Sequence, residues 1–151
     1  MRTGIPPLVL AGLLAVAMWL VARYLPQPAF DLPFRQAAAA AIGSIALVIL
    51  ALAVRPFRHA RTTVDPRRPE RASALVTDGV YSLSRNPMYV GMVLALIAWG
   101  LYVGSIVALL LAPAAFVIYM DRRQIPAEEN ALAAAFGEQY AQYTRRVRRW
   151  I

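Results

Sequence analysis

Along the chain, apolar residues gather into three stretches that carry no charge, separated by segments rich in proline and arginine. Residues 3–22, dominated by Leu, Val and Ala with Trp19, are about as long as a helix must be to cross a hydrocarbon core. A cleaved signal peptide is the competing reading, but the stretch is long for one and no persuasive small-residue cleavage site follows it. Pro26, Pro28 and Pro33 then interrupt any helix over 23–35, since each removes a donor and restricts the residue before it, so a connecting loop is expected. Residues 36–54 form the second stretch, and its alanines with Gly43 and Ser44 make a slim face of the kind that lets membrane helices approach closely. The third, residues 86–120, is too long for one crossing and a little short for two. Gly100 and Gly104 divide it, which predicts a helical hairpin with one arm from Pro87 to about Trp99 and the other from about Ser105 to Met120, kinked at Pro113.

The junctions add detail. Asn86 before Pro87 reads as a helix start, because Asn can cap free backbone donors and Pro at the first helical position has no N–H to lose. With Arg85 just outside, that helix end favours an anionic group such as an amino-acid carboxylate; the alternative is that Arg85, Asn86 and Tyr89 anchor the helix among lipid headgroups. After Asp121, Arg122 and Arg123 the chain turns polar and helical again, with Pro126 near the start and Glu128 and Glu129 in the first turn. Leu132, Phe136, Tyr140, Tyr143, Val147 and Trp150 recur there at three- and four-residue spacing, one apolar stripe flanked by Arg145, Arg146, Arg148 and Arg149. This helix is expected on the membrane surface or packed over the basic segment. Glu128 and Glu129 read either as dipole-stabilising partners of arginine or as parts of a site.

These elements define an all-α fold: a polytopic membrane helical bundle of about four transmembrane helices plus a C-terminal amphipathic helix. The expected spans are about 5–24, 36–54, 87–99 and 105–120. Composition agrees, for 60% of the 151 residues are hydrophobic, too many for an ordinary soluble domain of this length. The net charge of +8 raises nucleic acid as a partner, but the arginines flank apolar spans, the distribution that topology and anionic lipid require. Arg55, Arg58, Arg61, Arg67, Arg68 and Arg71, interrupted by Pro56, Pro66 and Pro69, mark an irregular basic segment on the cytoplasmic side, and both termini are expected there too. The chain has no Cys and one His, which excludes disulfides, thiolate chemistry and a histidine metal cluster. His59 has no partner in sequence for a catalytic dyad and reads as an interfacial loop residue.

Four segments taken together, Leu75 to Tyr81 (LVTDGVY), Arg85 to Gly91 (RNPMYVG), Glu128 to Leu132 (EENAL) and Phe136 to Tyr143 (FGEQYAQY), resemble the isoprenylcysteine carboxyl methyltransferase family and the related phospholipid methyltransferases. The resemblance runs from about Thr62 to the C-terminus with motif order and spacing intact. It implies one integral-membrane methyltransferase domain over residues 1–151, with cytosolic segments 55–86 and 121–151. It further implies S-adenosylmethionine bound at the cytosolic membrane face, with contacts from Ser73, Ala74, Leu75, Val76, Tyr81, Asn86, Pro87, Met88, Tyr89 and Glu128. No Rossmann glycine fingerprint is present, which agrees. The family's commonest residue at Asn86 is His, so a neutral amide replaces a titratable ring. In eukaryotic carboxyl methyltransferases a substrate-contacting arginine occupies the position of Gln124, and Arg123 beside it is the substitute on the substrate side. No metal is implied.

Three functions follow. Carboxyl O-methylation of a lipid-linked or hydrophobic acid needs no general base, since a carboxylate is already ionised at neutral pH. N-methylation of a lipid amine needs a proton acceptor. A non-catalytic membrane scaffold would keep the fold and bind no cofactor.

Overall fold

The computed structural model describes residues 4–26, 32–59 and 75–151. Among them the chain forms five α-helices: α1 (Pro7–Tyr24), α2 (Arg35–His59), α3 (Pro87–Val103), α4 (Ile106–Tyr119) and α5 (Ile125–Arg146). A 3-10 turn, Gly79–Ser82, precedes α3, and a π-helical turn, Met120–Gln124, joins α4 to α5. The described residues contain no strand.

The first four helices alternate in direction, as three ties show. The Ile5 N–H at the start of α1 donates to the Tyr119 hydroxyl at the end of α4 over 2.6 Å. At the opposite end of the bundle, the Arg35 guanidinium that opens α2 donates to the carbonyls of Leu101 and Tyr102 in the last turn of α3. The last carbonyls of a helix are short of donors, although Leu101 also accepts from the Gly104 N–H over 3.2 Å, and a cation suits the negative end of the helix dipole. At the first end, the Tyr81 hydroxyl just ahead of α3 donates to the Ala53 carbonyl near the close of α2 over 3.3 Å.

Small residues set the spacing of α2 and α3. Ala39, Ala46 and Ala53 are buried at seven-residue intervals on α2. On α3 a Cβ at Gly91 would lie 2.7 Å from the Leu50 side chain, so the interface closes only because Gly has none. The expected slim face is therefore real, except that Ser44 is exposed and its hydroxyl turns back to the Ala40 carbonyl. The α3–α4 hairpin forms as expected, with a shifted boundary. Gly100 stays helical, its missing Cβ making room for the Leu109 backbone, and α3 runs past Trp99 to Val103. Gly104 alone turns the chain, with φ 72° in the left-handed region, and buried Ser105 caps α4 by accepting from the Ala108 N–H.

Three further expectations need correction. The second helix continues beyond Val54 through Pro56 to His59, so His59 ends a helix instead of lying in a loop, and Pro56 removes one ladder donor within it. The polar C-terminal helix does not start afresh near Pro126. It continues α4 through the π-turn, where the Ile125 N–H reaches back to the Met120 carbonyl, and this wider register comes directly before the proline whose ring would break the regular ladder. And α5 is broken at Gly137 (φ 49°, ψ −121°), which the unbroken apolar spacing concealed.

The main core joins Met18 of α1, Tyr89 and Leu96 of α3, Ala108, Ala112 and Phe116 of α4, Met120 and Ile125. The predicted stripe of α5 turns inward: Tyr140, Tyr143 and Val147 form a second cluster with Leu75, Leu132 and Phe136, and Trp150 packs against the first. Outward, α1 exposes Leu8, Val9, Leu13, Val16 and Leu20, α2 exposes Ile45, Leu47, Val48 and Leu52, and α4 exposes Leu110, Leu111 and Ile118. Apolar side chains in that number call for lipid around them. Two helices, α1 and α2, are long and apolar enough to cross a membrane; α3 is a shorter apolar helix.

Candidate active site

The π-turn and the start of α5 bring Gln124 and Glu128, four residues apart, onto one helical face beside the first turn of α3. There the Tyr89 hydroxyl donates to Glu128 Oε1 over 2.6 Å and Gln124 Nε2 donates to the same oxygen over 2.7 Å. Tyr89 and Gln124 are only 3% and 2% exposed, so the carboxylate is held by buried neutral donors. Among the described residues no arginine pairs with Glu128, and no donor is aimed at its Oε2. Burial therefore dominates and raises the carboxyl to about 7, against the lowering effect of the two hydrogen bonds, with Glu129 raising it slightly further. Tyr81 stands near enough for the Glu128 charge to act on its phenol, which burial above all holds well above its ordinary value.

Glu129, next in the chain, sits in the opposite electrostatic setting. Arg85 Nη1 lies 2.9 Å from its Oε1, while Arg149 donates from Nε to Oε1 over 3.1 Å and from Nη2 to Oε2 over 2.7 Å. A third arm of Arg149 reaches Asp121 Oδ1 at 2.9 Å, which holds that carboxyl below its ordinary value. Among the described residues, one α-helical step of about 100° thus separates a carboxylate held by neutral donors from one paired with two arginines.

The C-terminal residues close this end of the bundle. Tyr143 donates its hydroxyl to the Tyr81 carbonyl over 2.7 Å, and the Arg85 N–H donates to the Arg148 carbonyl over 3.0 Å. The expected helix cap at Asn86 is corrected here: its side chain caps nothing in α3 and instead donates from Nδ2 to the Arg149 carbonyl over 2.9 Å. Pro87 does occupy the first position of the helix, as its missing donor allows.

Of the residues singled out in the sequence, Tyr81, Tyr89, Gln124 and Glu128 come together. Asn86 and Pro87 flank them at the head of α3, and Met88 is half-buried there. Leu75 packs into the C-terminal cluster, Val76 is half-buried beside it in sequence, and Arg123 is exposed. Ser73 and Ala74 lie outside the described residues. Sequence reasoning missed the roles of Arg149 and Asp121; the excess of arginine over acid in the tail was the available signal, but it does not say which arginine turns inward.

The fold and the site together define an all-helical membrane protein with a buried carboxylate centre at one end of its bundle. The phospholipid methyltransferase family model matches residues 34–139, and the chain belongs to that family. It is 36% identical over 73 residues to the protein-S-isoprenylcysteine O-methyltransferase of Schizosaccharomyces pombe, covering 48% of this chain and 30% of that protein. Against protein-S-isoprenylcysteine O-methyltransferase B of Arabidopsis thaliana it is 34% identical over 96 residues, 62% of this chain and 45% of that one. An uncharacterized protein of Haemophilus influenzae is 38% identical over 64 residues, 42% of this chain and all of that protein. The matches therefore span less than half the length of either named methyltransferase. They agree with the resemblance that the four sequence segments carried.

Proposed function

We propose that this chain is an S-adenosylmethionine-dependent methyltransferase acting on a lipid-linked or hydrophobic acid by carboxyl O-methylation. The observation that carries the reading is Glu128: a carboxylate fixed through Oε1 by Tyr89 and Gln124, with neither a cation beside it nor a donor to Oε2 among the described residues. A site of this kind suits a positively charged or hydroxyl-bearing ligand, because either donates to the second carboxylate oxygen and a cation also restores the ionised form. The aromatic rings of Tyr81 and Tyr89 nearby suit a sulfonium. A second fit is Arg85 Nε, buried and without a hydrogen-bond partner among the described residues, a donor available to an amino-acid carboxylate.

When bound, the cofactor supplies an electrophilic methyl group on sulfur. The chain's own part is to position and to exclude water. Glu128 would hold the cationic or hydroxyl groups, Tyr89 and Gln124 keep that carboxylate in one orientation, and the C-terminal cluster of Tyr140, Tyr143 and Val147 closes the cytosolic side. Gln124 is engaged with Glu128, so exposed Arg123 is the better candidate to meet the anion of the acceptor. An acceptor carboxylate needs no base.

Lipid-amine N-methylation is the second reading, and a specific observation favours it: a carboxylate that titrates near neutrality, as Glu128 does at about 7, is suited to accept an ammonium proton. The names of the aligned relatives weigh toward the first. Incubating membranes with methyl-labelled cofactor and analysing lipids and proteins by mass spectrometry separates them. A base-labile labelled ester is expected; a base-stable label on an amine would establish the alternative, and no transfer with no cofactor binding would leave a membrane scaffold.

For topology, we infer four spans, α1 to α4, with both termini cytoplasmic. The alternating helix directions and the arginines gathered at the site end support this arrangement.

A further inference from the structure

We propose that Arg149 is a positioning residue for the cofactor site: it locks Glu129 into a closed ion lattice, so that neighbouring Glu128 is the carboxylate left to meet a cationic ligand. The inference rests on the cofactor reading above. Residue 149 lies beyond the 34–139 segment matched by the family model, and nothing in the chain's arginine-rich ending marks it out from Arg145, Arg146 or Arg148, which are exposed.

Its placement is built from several sides. The forked contact of Nε and Nη2 with both Glu129 oxygens leaves Nη1 for Asp121, so one guanidinium bridges the π-turn to the start of α5. Its backbone carbonyl is gripped by Asn86 Nδ2, the preceding carbonyl by the Arg85 N–H, and the following Trp150 packs into the main core with its indole N–H toward Asp121. The chain end is thereby clasped to the loop that leads into α3. Arg85 supplies the second cation on Glu129.

The groups facing Glu128 among the described residues are Tyr89 from α3, Tyr81 from the 3-10 turn, Gln124 from the π-turn and Glu129 from its own helix. Glu129 is the charged one, and it opposes ionisation of Glu128. Two guanidiniums offset it. Without Arg149 the like charge next door keeps only one of its two cations, the local positive charge falls, and Glu128 keeps its proton to higher pH.

The test uses the full chain in detergent, titrated with S-adenosylmethionine from acid to alkaline pH, with S-adenosylhomocysteine, whose sulfur is neutral, as reference. Titrations of the ligands themselves are common to all variants. Arg149→Met is expected to move the midpoint of S-adenosylmethionine binding upward by about one pH unit, weakening it about fivefold to tenfold at neutral pH. S-adenosylhomocysteine binding should change less. Glu129→Gln, which keeps the arginine, should move the midpoint down, and the double variant Arg149→Met/Glu129→Gln should bring it back toward wild type, since one anion and one cation are removed together and Arg85 remains. A purely structural Arg149 would lower both affinities alike, leave the midpoint in place and gain nothing from the second substitution; that result overturns the proposal. If Arg149→Met does not fold, an unmoved midpoint in Glu129→Gln overturns it equally. Wild-type protein that binds neither ligand overturns the cofactor reading and this inference together, whereas wild-type binding with unmoved midpoints removes the inference alone.

Discussion

At Glu128 a carboxyl whose ordinary value is 4.5 is raised to about 7, because the loss of water outweighs the donors Tyr89 and Gln124. The folded protein then holds this proton more tightly than the open chain does. Its contribution to stability is present below about pH 4.5 and is lost as pH rises toward about 7, opposite to the usual behaviour of a salt-bridged acid. Asp121 shows that usual behaviour: lowered by Arg149, it supports the fold at neutral pH and ceases to do so in acid. A cationic ligand reverses the sign at Glu128, since it binds the ionised form. We therefore expect affinity for S-adenosylmethionine, measured by calorimetry, to rise as pH increases through about 7, with proton release on binding below that point. Glu128→Gln keeps the shape and removes the charge, so affinity should fall on the order of tenfold, about 1.4 kcal/mol, and the pH dependence should flatten. Unchanged affinity in that variant would remove Glu128 from the site. Glu128 itself was legible as a candidate in the sequence. That Glu129, and not Glu128, is the one paired with arginine among the described residues was not, because the two differ by one helical step and only their neighbours distinguish them.

At the level of elements, Gly100 and Gly104 were both read as breaks, and the structure separates two uses. Gly104 takes a left-handed turn, whereas Gly91 and Gly100 stay helical and let a neighbouring helix come close. At Gly100 an added Cβ would sit 2.8 Å from the Leu109 Cα, an atom that cannot move without shifting α4. Gly100→Val is accordingly expected to lower the thermal midpoint of detergent-solubilised protein, at a cost of about 1–3 kcal/mol for overpacking. Gly79→Ala makes a contrast, since open space surrounds that position and only its positive φ of 61° resists the change, for a cost of about 1 kcal/mol. A hairpin unaffected by Gly100→Val would contradict the packing described. The π-turn taught the opposite lesson about proline. Pro126 looked like a helix start, and it is one locally, but the preceding helix runs into it through a turn whose register is wider by one residue.

For the whole molecule, the proposed four-span arrangement places Phe34 and Tyr102 at one end and the site with Gln142 at the other. All three are exposed. In intact cells, membrane-impermeant thiol reagents should label a cysteine introduced at Phe34 or Tyr102 and spare one at Gln142 until the membrane is opened; label reaching Gln142 from outside would reverse the orientation. Uncharged length, proline-bounded segments and arginine placement determined from the sequence alone that the chain is an all-α membrane protein with its polar groups gathered in the segments preceding α3 and following α4, because lipid demands local satisfaction of backbone groups and tolerates few charges. The motif segments likewise carried the family. Tertiary structure decided the rest: that the C-terminal stripe packs inward, that Asn86 ties down the chain end in place of capping α3, and that Arg149 takes Glu129 and leaves Glu128 to Tyr89 and Gln124. Those outcomes depend on which side chains meet across distances of twenty to sixty residues in the chain, and contact between remote residues is set by packing, which no local pattern encodes.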